Sequence, residues 1–161
     1  SLALTVMKAR QFSTEEYARF HPAGALGAKL ITVGQTMWFK PGETLPLVKA
    51  SQTVQQMLDL TSQQKRHGAV MVVDGDGKLS GIITDGDLRR AMTRFTGDVF
   101  GKRAGDIMTA GCKRVREDTL AAEAMAIFHW YRIDELPVVD SDDRPIGLID
   151  VQDIVAIKIV G

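Results

Sequence analysis

The sequence predicts an α/β or α+β fold in which one small mixed unit is used twice. Three observations carry this. First, Gly81-Ile82-Ile83-Thr84-Asp85-Gly86-Asp87-Leu88 returns 66 residues later as Gly147-Leu148-Ile149-Asp150-Val151-Gln152-Asp153-Ile154. Second, the same offset carries Val72-Val73-Asp74 onto Val138-Val139-Asp140, and Thr53-Val54 onto Thr119-Leu120. Third, both copies run in the order helix, strand, turn, strand, helix. A repeat of this length predicts two supersecondary units, each burying its open face against the other.

Residues 1–30 stand outside the repeat. Leu2, Leu4, Val6 and Met7 predict a short apolar helix, and Glu15 to Phe20 a second one. That helix stops before Pro22, because a residue preceding proline avoids the helical region. His21-Pro22-Ala23-Gly24-Ala25-Leu26-Gly27 is too glycine-rich for an element interior. A start without methionine, in mid-helix, reads as a piece of a longer chain.

In the first copy, Thr53 and Gln56 have capping-box spacing, so a helix is expected to begin there. Ala69 to Val73 is a β-rich run, Asp74-Gly75-Asp76-Gly77 a hairpin turn, and Leu79 to Ile83 the return strand. A helix follows through Met92. In the second copy Leu120, Ala124, Ile127, Phe128 and Tyr131 share one helical face. Leu136 to Val139 and Ile146 to Ile149 read as strands around the turn Ser141-Asp142-Asp143, and Val151 to Ile159 as the last helix. Met37 and Met108 precede the copies at a spacing of 71, which places five extra residues in Pro41 to Pro46. The expected organisation is therefore a tail (1–30), repeat 1 (31–95), a glycine-containing linker (96–103) and repeat 2 (104–161).

Composition narrows the function. Twenty basic and twenty acidic residues cancel, so no overall charge draws the chain to nucleic acid or an anionic membrane. No apolar run approaches the ~20 residues of a membrane span, and no signal-peptide progression opens the chain. Cys112 is the only cysteine; a lone thiol fits a reducing cytoplasm, and no histidine pattern marks it as a nucleophile. His67 and His129 lack metal-ligand spacing to other candidate ligands and read as helix positions. Lys102, Arg103, Lys113, Arg114 and Arg116 read as a solvated face, with an anion patch as the alternative.

Thr84 and Asp87 carry the sharpest chemistry. They stand at a strand-to-helix turn, where free N–H groups, the threonine hydroxyl and the helix dipole favour an anion such as phosphate. Asp87, one turn in, can accept from both hydroxyls of a ribose. The plainer reading is a capping box with no ligand at all. Arg89 and Arg90 either reach phosphates or are solvated helix charges. Asp150 replaces the threonine in the second copy, putting negative charge where a phosphate would sit. The expectation is one competent cleft, built from Thr84, Asp85, Asp87, Arg89 and Arg90. Asp150 and Asp153 would form a weaker one, open at most to an unphosphorylated end.

Leu136-Pro137-Val138-Val139-Asp140 with Gly147-Leu148-Ile149, and Gly81-x-x-Thr84-x-x-Asp87, resemble a tandem pair of cystathionine-β-synthase-type (CBS) domains. The resemblance implies a pseudo-twofold pair of β-α-β-β-α units with nucleotide clefts, in which the threonine meets phosphate and the aspartate ribose. Phe20-His21-Pro22-Ala23-Gly24-Ala25-Leu26-Gly27 and Thr84-Asp85-Gly86-Asp87-Leu88-Arg89-Arg90 resemble more closely the arabinose-5-phosphate isomerases. That resemblance covers essentially the whole chain. Those enzymes join an N-terminal sugar isomerase (SIS) domain to a CBS pair. They interconvert ribulose 5-phosphate and arabinose 5-phosphate for synthesis of the lipopolysaccharide sugar Kdo. The family usually has His-Pro-Gly-Gly where this chain has His21-Pro22-Ala23-Gly24, and the substrate-binding body of the isomerase domain is absent from these residues.

By this resemblance His21 serves the parent's active site, since moving a proton between adjacent carbons needs a base that titrates near neutrality. Within this chain alone its plain reading is a capping or unordered histidine. The resulting expectation is a cytoplasmic regulatory pair with no catalysis and no cofactor of its own. Its ligand would be AMP, ATP or CMP-Kdo. Its partners would be the parent SIS domain and a second CBS pair, as a homodimer within a tetrameric parent. The rivals are a ligand-free dimerisation scaffold and an adenylate-sensing module of another enzyme.

Overall fold

In a computed structural model, residues 30–37, 39, 43–64 and 68–160 are described. The helices and the His-Pro turn expected before residue 30 lie outside them, as does His67. In chain order the elements are α1 (Val33–Thr36), β1 (Leu47–Lys49), α2 (Val54–Thr61), β2 (Ala69–Val73), β3 (Leu79–Thr84) and α3 (Asp85–Arg94). A 3-10 turn (Val99–Gly101) then leads into α4 (Ala104–Ile107), β4 (Thr109–Ala110), β5 (Val115–Arg116), α5 (Ala121–Tyr131), β6 (Glu135–Val139), β7 (Pro145–Asp150) and α6 (Val151–Val160). Both copies thus adopt the mixed helix-and-strand unit that the repeat predicts.

The chain divides into two compact units. One holds residues 44–113 with 142–145, around a sheet of order β1-β2-β3-β4. β1 runs parallel to β2, and β3 runs antiparallel to both β2 and β4. α2 begins where its capping box predicts: the Thr53 hydroxyl accepts from the Gln56 N–H at 3.1 Å, and Gln56 Oε1 accepts from the Thr53 N–H at 2.8 Å. The β2–β3 turn closes on Asp74, whose Oδ1 accepts from the N–H groups of Asp76 and Lys78. Gly77 takes the positive φ of 79° that this turn requires. Val48, Val54, Met57, Val72, Ile83 and Ala91 form its core.

Among the described residues, the other unit holds 30–37, 39, 43, 114–141 and 146–160, with a sheet of order β5-β6-β7 and β5 parallel to β6. The apolar face expected on α5 is present. Ala124, Ile127 and Phe128 are buried with Val115, Leu136, Val138 and Ile149, and Tyr131 packs against them. Ala121, Ala122 and Ala126 are buried too, so α5 is enclosed on more than one side. Leu120 serves as its N-cap residue, not as part of its face. Arg132, in the left-handed conformation, ends it by donating its N–H to Phe128 O.

Each unit takes its four-residue helix from the sequence leading into the other copy. α1 joins the second-copy unit: Val33 N–H donates to Thr119 O at 2.7 Å, and Ala121 N–H to Ile31 O at 2.8 Å. α4 joins the first-copy unit: Ala104 N–H donates to Gln52 O at 2.7 Å, and Gly105 N–H to Ala50 O at 3.0 Å. The segment between the copies belongs to this packing as well. Val99 is 3% exposed within the first-copy core. Backbone donors at a helix start need partners, and side-chain patterning does not reveal where they lie.

This exchange explains the repeat's glycines and the two methionines. Met37 and Met108 follow α1 and α4 in matching extended conformations. Met108 Sδ lies 2.8 Å from where a Cβ on Gly81 would stand, and Met37 Sδ lies 2.5 Å from the same point on Gly147. At Gly81 the backbone oxygen of Thr109 is closer still, at 2.6 Å. A methionine tail can move aside, whereas a paired strand backbone cannot do so without losing its hydrogen bonds. Gly81→Ala is therefore expected to destabilise the fold by about 1–3 kcal/mol. Gly147→Ala should cost less, and Gly75→Ala, with open space around it, almost nothing. Urea denaturation of the three variants checks the order.

Candidate functional site

β3 hands over to α3 at Thr84, and the turn is locked by a reciprocal box. Asp87 Oδ2 accepts from the Thr84 N–H at 2.9 Å and from the Thr84 hydroxyl at 3.0 Å, while Thr84 Oγ1 accepts from the Asp87 N–H at 3.3 Å. Asp87 Oδ1 accepts from Arg90 Nη2 at 2.7 Å and from the Thr109 hydroxyl of β4 at 2.9 Å. A carboxylate offers about four lone-pair directions, and all are in use. Asp87 is 7% exposed. Burial pushes its carboxyl up, but the hydrogen bonds from the Thr84 backbone, Arg90, Thr109 and the Thr84 hydroxyl outweigh that and hold it below its ordinary value.

A cleft of about 120 Å³ opens beside this turn. Met57, Leu58, Val70, Ile83 and Leu88 give it apolar walls, and Thr61, Gln64, Thr84 and Asp85 give it polar groups. The Thr61 hydroxyl is committed to Met57 O at 2.8 Å. Of the sequence-predicted residues, Thr84 and Asp85 line the cleft. Asp87 is hydrogen-bonded to Thr84, and Arg89 and Arg90 are exposed on α3. The cleft is smaller than a typical pocket for a whole drug-sized ligand.

Arg90 nevertheless returns to the helix start. Its Nη1 lies 3.3 Å from where a Cβ on Gly86 would stand, and Thr84 Oγ1 lies 3.6 Å from that same point. The guanidinium therefore crosses the bare Gly86 backbone, beside the threonine hydroxyl.

The second copy keeps the aspartate half of the box and changes the rest. Asp153 Oδ2 accepts from the Asp150 N–H at 2.8 Å, repeating the role of Asp87, and Asp150 Oδ1 accepts from the Gln152 N–H at 2.7 Å. Val151, Gln152 and Ala156 stand where the first copy has Asp85, Gly86 and Arg90.

His21 lies outside the described residues, and His129 is exposed on α5. Among the described residues no group of three His, Cys, Asp or Glu side chains is placed to hold a metal ion. No described helix is long and apolar enough to cross a membrane. Cys112 is half-buried between β4 and β5. Within the basic cluster, Lys102 pairs with Asp98 at 3.1 Å and lies 5.0 Å from the centre of the Phe95 ring. Sequence reasoning missed Thr109, whose only signal is its place directly after Met108. It also missed Met57 and Gln64, which need the folded sheet to reach the cleft.

Residues 43–94 and 104–159 match the CBS domain family. The chain is 40% identical over 154 residues to arabinose 5-phosphate isomerase KdsD of Pseudomonas aeruginosa, covering 96% of this chain and 46% of that protein. It thus spans about half the length of the curated relatives it matches. Among solved structures it resembles a putative signal-transduction protein with CBS domains from Burkholderia ambifaria, at 33% identity and a TM-score of 0.69, over 80% of this chain and 94% of that one. It also resembles CBSX2 of Arabidopsis thaliana. In the crystal structure of its AMP complex the identity is 30% and the TM-score 0.66, over 81% of this chain and 99% of that one.

Because the folded Asp87 carboxyl titrates below its ordinary value of 3.8, its stabilisation is complete above that value and disappears as pH falls through the lowered one. Asp87→Asn should lower stability by about 1–3 kcal/mol at neutral pH. The difference from the parent chain should shrink in acid, as read by urea denaturation from about pH 6 to about pH 2.

Proposed function

This chain belongs to the CBS-domain family, and from that premise we propose that it is the regulatory, nucleotide-sensing pair of an arabinose-5-phosphate isomerase. The observation that carries the reading is the cleft at the start of α3, with apolar walls, Thr84 and Asp85 on its lining and Asp87 hydrogen-bonded to Thr84. Identity of 40% to an arabinose 5-phosphate isomerase across 96% of the chain supports the parent enzyme. The AMP complex of CBSX2 supports a nucleotide as the ligand class.

In this reading a base lies against Met57, Val70, Ile83 and Leu88. Phosphate lies at the start of α3, where unpaired N–H groups and the helix dipole favour negative charge. AMP, ATP and CMP-Kdo are the candidate ligands. Catalysis belongs to a preceding SIS domain that His21 would serve. The pair would assemble as a homodimer within a tetrameric parent. The ligand regulates only if it binds two states of that parent with different affinity. Asp150 adds a carboxylate, and Ala156 supplies no cation, at the matching place in the second copy, so that site is read as weak.

One observation favours the scaffold reading: every acceptor direction of Asp87 is taken by a donor of the chain itself. Thermal-shift titration separates the two, because a ligand that binds only the folded chain raises its midpoint. AMP, ATP, CMP or CMP-Kdo should raise the midpoint, and Thr84→Asp should abolish the shift. No shift with any of the four favours the scaffold.

A further inference from the structure

The complete hydrogen-bonding of Asp87 poses a problem for any ligand that presents a ribose hydroxyl to it. Of its four donors, the Thr84 N–H and hydroxyl belong to the box that starts α3, and Thr109 ties in β4. Arg90 differs from the others. Its side chain is 73% exposed, on a carboxylate whose own side chain is 6% exposed. The exposed end can swing away without unpacking the fold, but the buried carboxylate needs another donor in its place. Its guanidinium lies across Gly86, beside the Thr84 hydroxyl, which is where the proposed site places phosphate.

We propose that Arg90 is a handover residue that makes ribose and phosphate recognition depend on one another. The inference rests on the nucleotide reading above. An arriving phosphate draws the guanidinium from Asp87 Oδ1 into a charge-assisted contact with itself. That frees an acceptor direction on Asp87 for a ribose hydroxyl. A nucleoside lacks the phosphate, so it must break the Arg90–Asp87 pair without giving the guanidinium a new partner. The first copy is therefore selective for the phosphorylated form, although the walls of the cleft are apolar.

Three features of the sequence agree with this assignment. Gly86 leaves room for the guanidinium, since a Cβ there would stand 3.3 Å from Nη1. The second copy, which has Asp150 in place of Thr84, has lost the whole device, with Gln152 for Gly86 and Ala156 for Arg90. It keeps the box aspartate, Asp153. Arg89, the neighbouring cation, has no contact to Asp87 and takes no part.

Calorimetric titration of the 161-residue chain with AMP and adenosine, and with CMP and cytidine, tests the handover. The parent chain should prefer each monophosphate to its nucleoside by about tenfold or more, as expected for a charge-assisted contact. Arg90→Ala should weaken the monophosphate and leave the nucleoside equal or tighter, collapsing the ratio. Arg94→Ala, which removes a cation from the last turn of α3, should keep the ratio of the parent chain. Gly86→Ala, which is compatible with the helix, should reduce the ratio by displacing the guanidinium. An unchanged ratio in Arg90→Ala overturns the handover, as does an equal loss of nucleoside and monophosphate. Absence of binding by all four probes to the parent chain overturns the nucleotide reading itself, and the handover with it.

Discussion

A single buried carboxylate organises the first-copy unit. Asp87 closes the end of β3 onto the start of α3 through Thr84, and holds β4 to that turn through Thr109. The cost of burying a charge is met because every lone pair has a donor and one donor is cationic. The orientation of α3, and with it the placement of Thr84, Asp85 and Leu88 around the cleft, follows from this one group. Its lowered pKa is the electrostatic expression of the same fact.

The duplication separates what packing needs from what a ligand would need. Both copies retain the glycine under a methionine and the aspartate that accepts from the backbone at the start of the helix after the return strand. These are steric and hydrogen-bonding requirements of a strand passing directly into a helix under a covering segment. The copies part at Thr84 and Asp150, Asp85 and Val151, Gly86 and Gln152, Arg90 and Ala156. Apart from Val151, which packs against the core of its unit, these residues stand outside the two cores and are free to differ in chemistry. In the proposed reading that difference acquires a functional meaning, because charge and hydrogen-bonding groups at a helix start bias which anions it tolerates.

Much of the fold was legible in local patterns. The Thr53–Gln56 box, the Asp74–Gly77 turn and the buried face of α5 each rest on residues a few positions apart, and all three formed as the sequence predicts. Arg90 was less legible. Its spacing from Asp87 suits a helix pair, yet only the absence of a side chain at Gly86 lets the guanidinium reach back to the helix start. Thr109 was not legible at all, since a bond across 22 positions has no periodic signature.

By itself the sequence determined that one mixed unit is used twice, that the two uses differ in charge at a strand-to-helix turn, and where most helices and hairpins begin and end. Those features come from periodicity, capping and turn chemistry, which act between near neighbours in the chain. The tertiary structure decided which short helix completes which unit, why Gly81 must be glycine, and that Asp87 is already fully hydrogen-bonded. These depend on backbone and side-chain groups brought together from distant positions, where distance and direction, and not residue type, determine which groups pair.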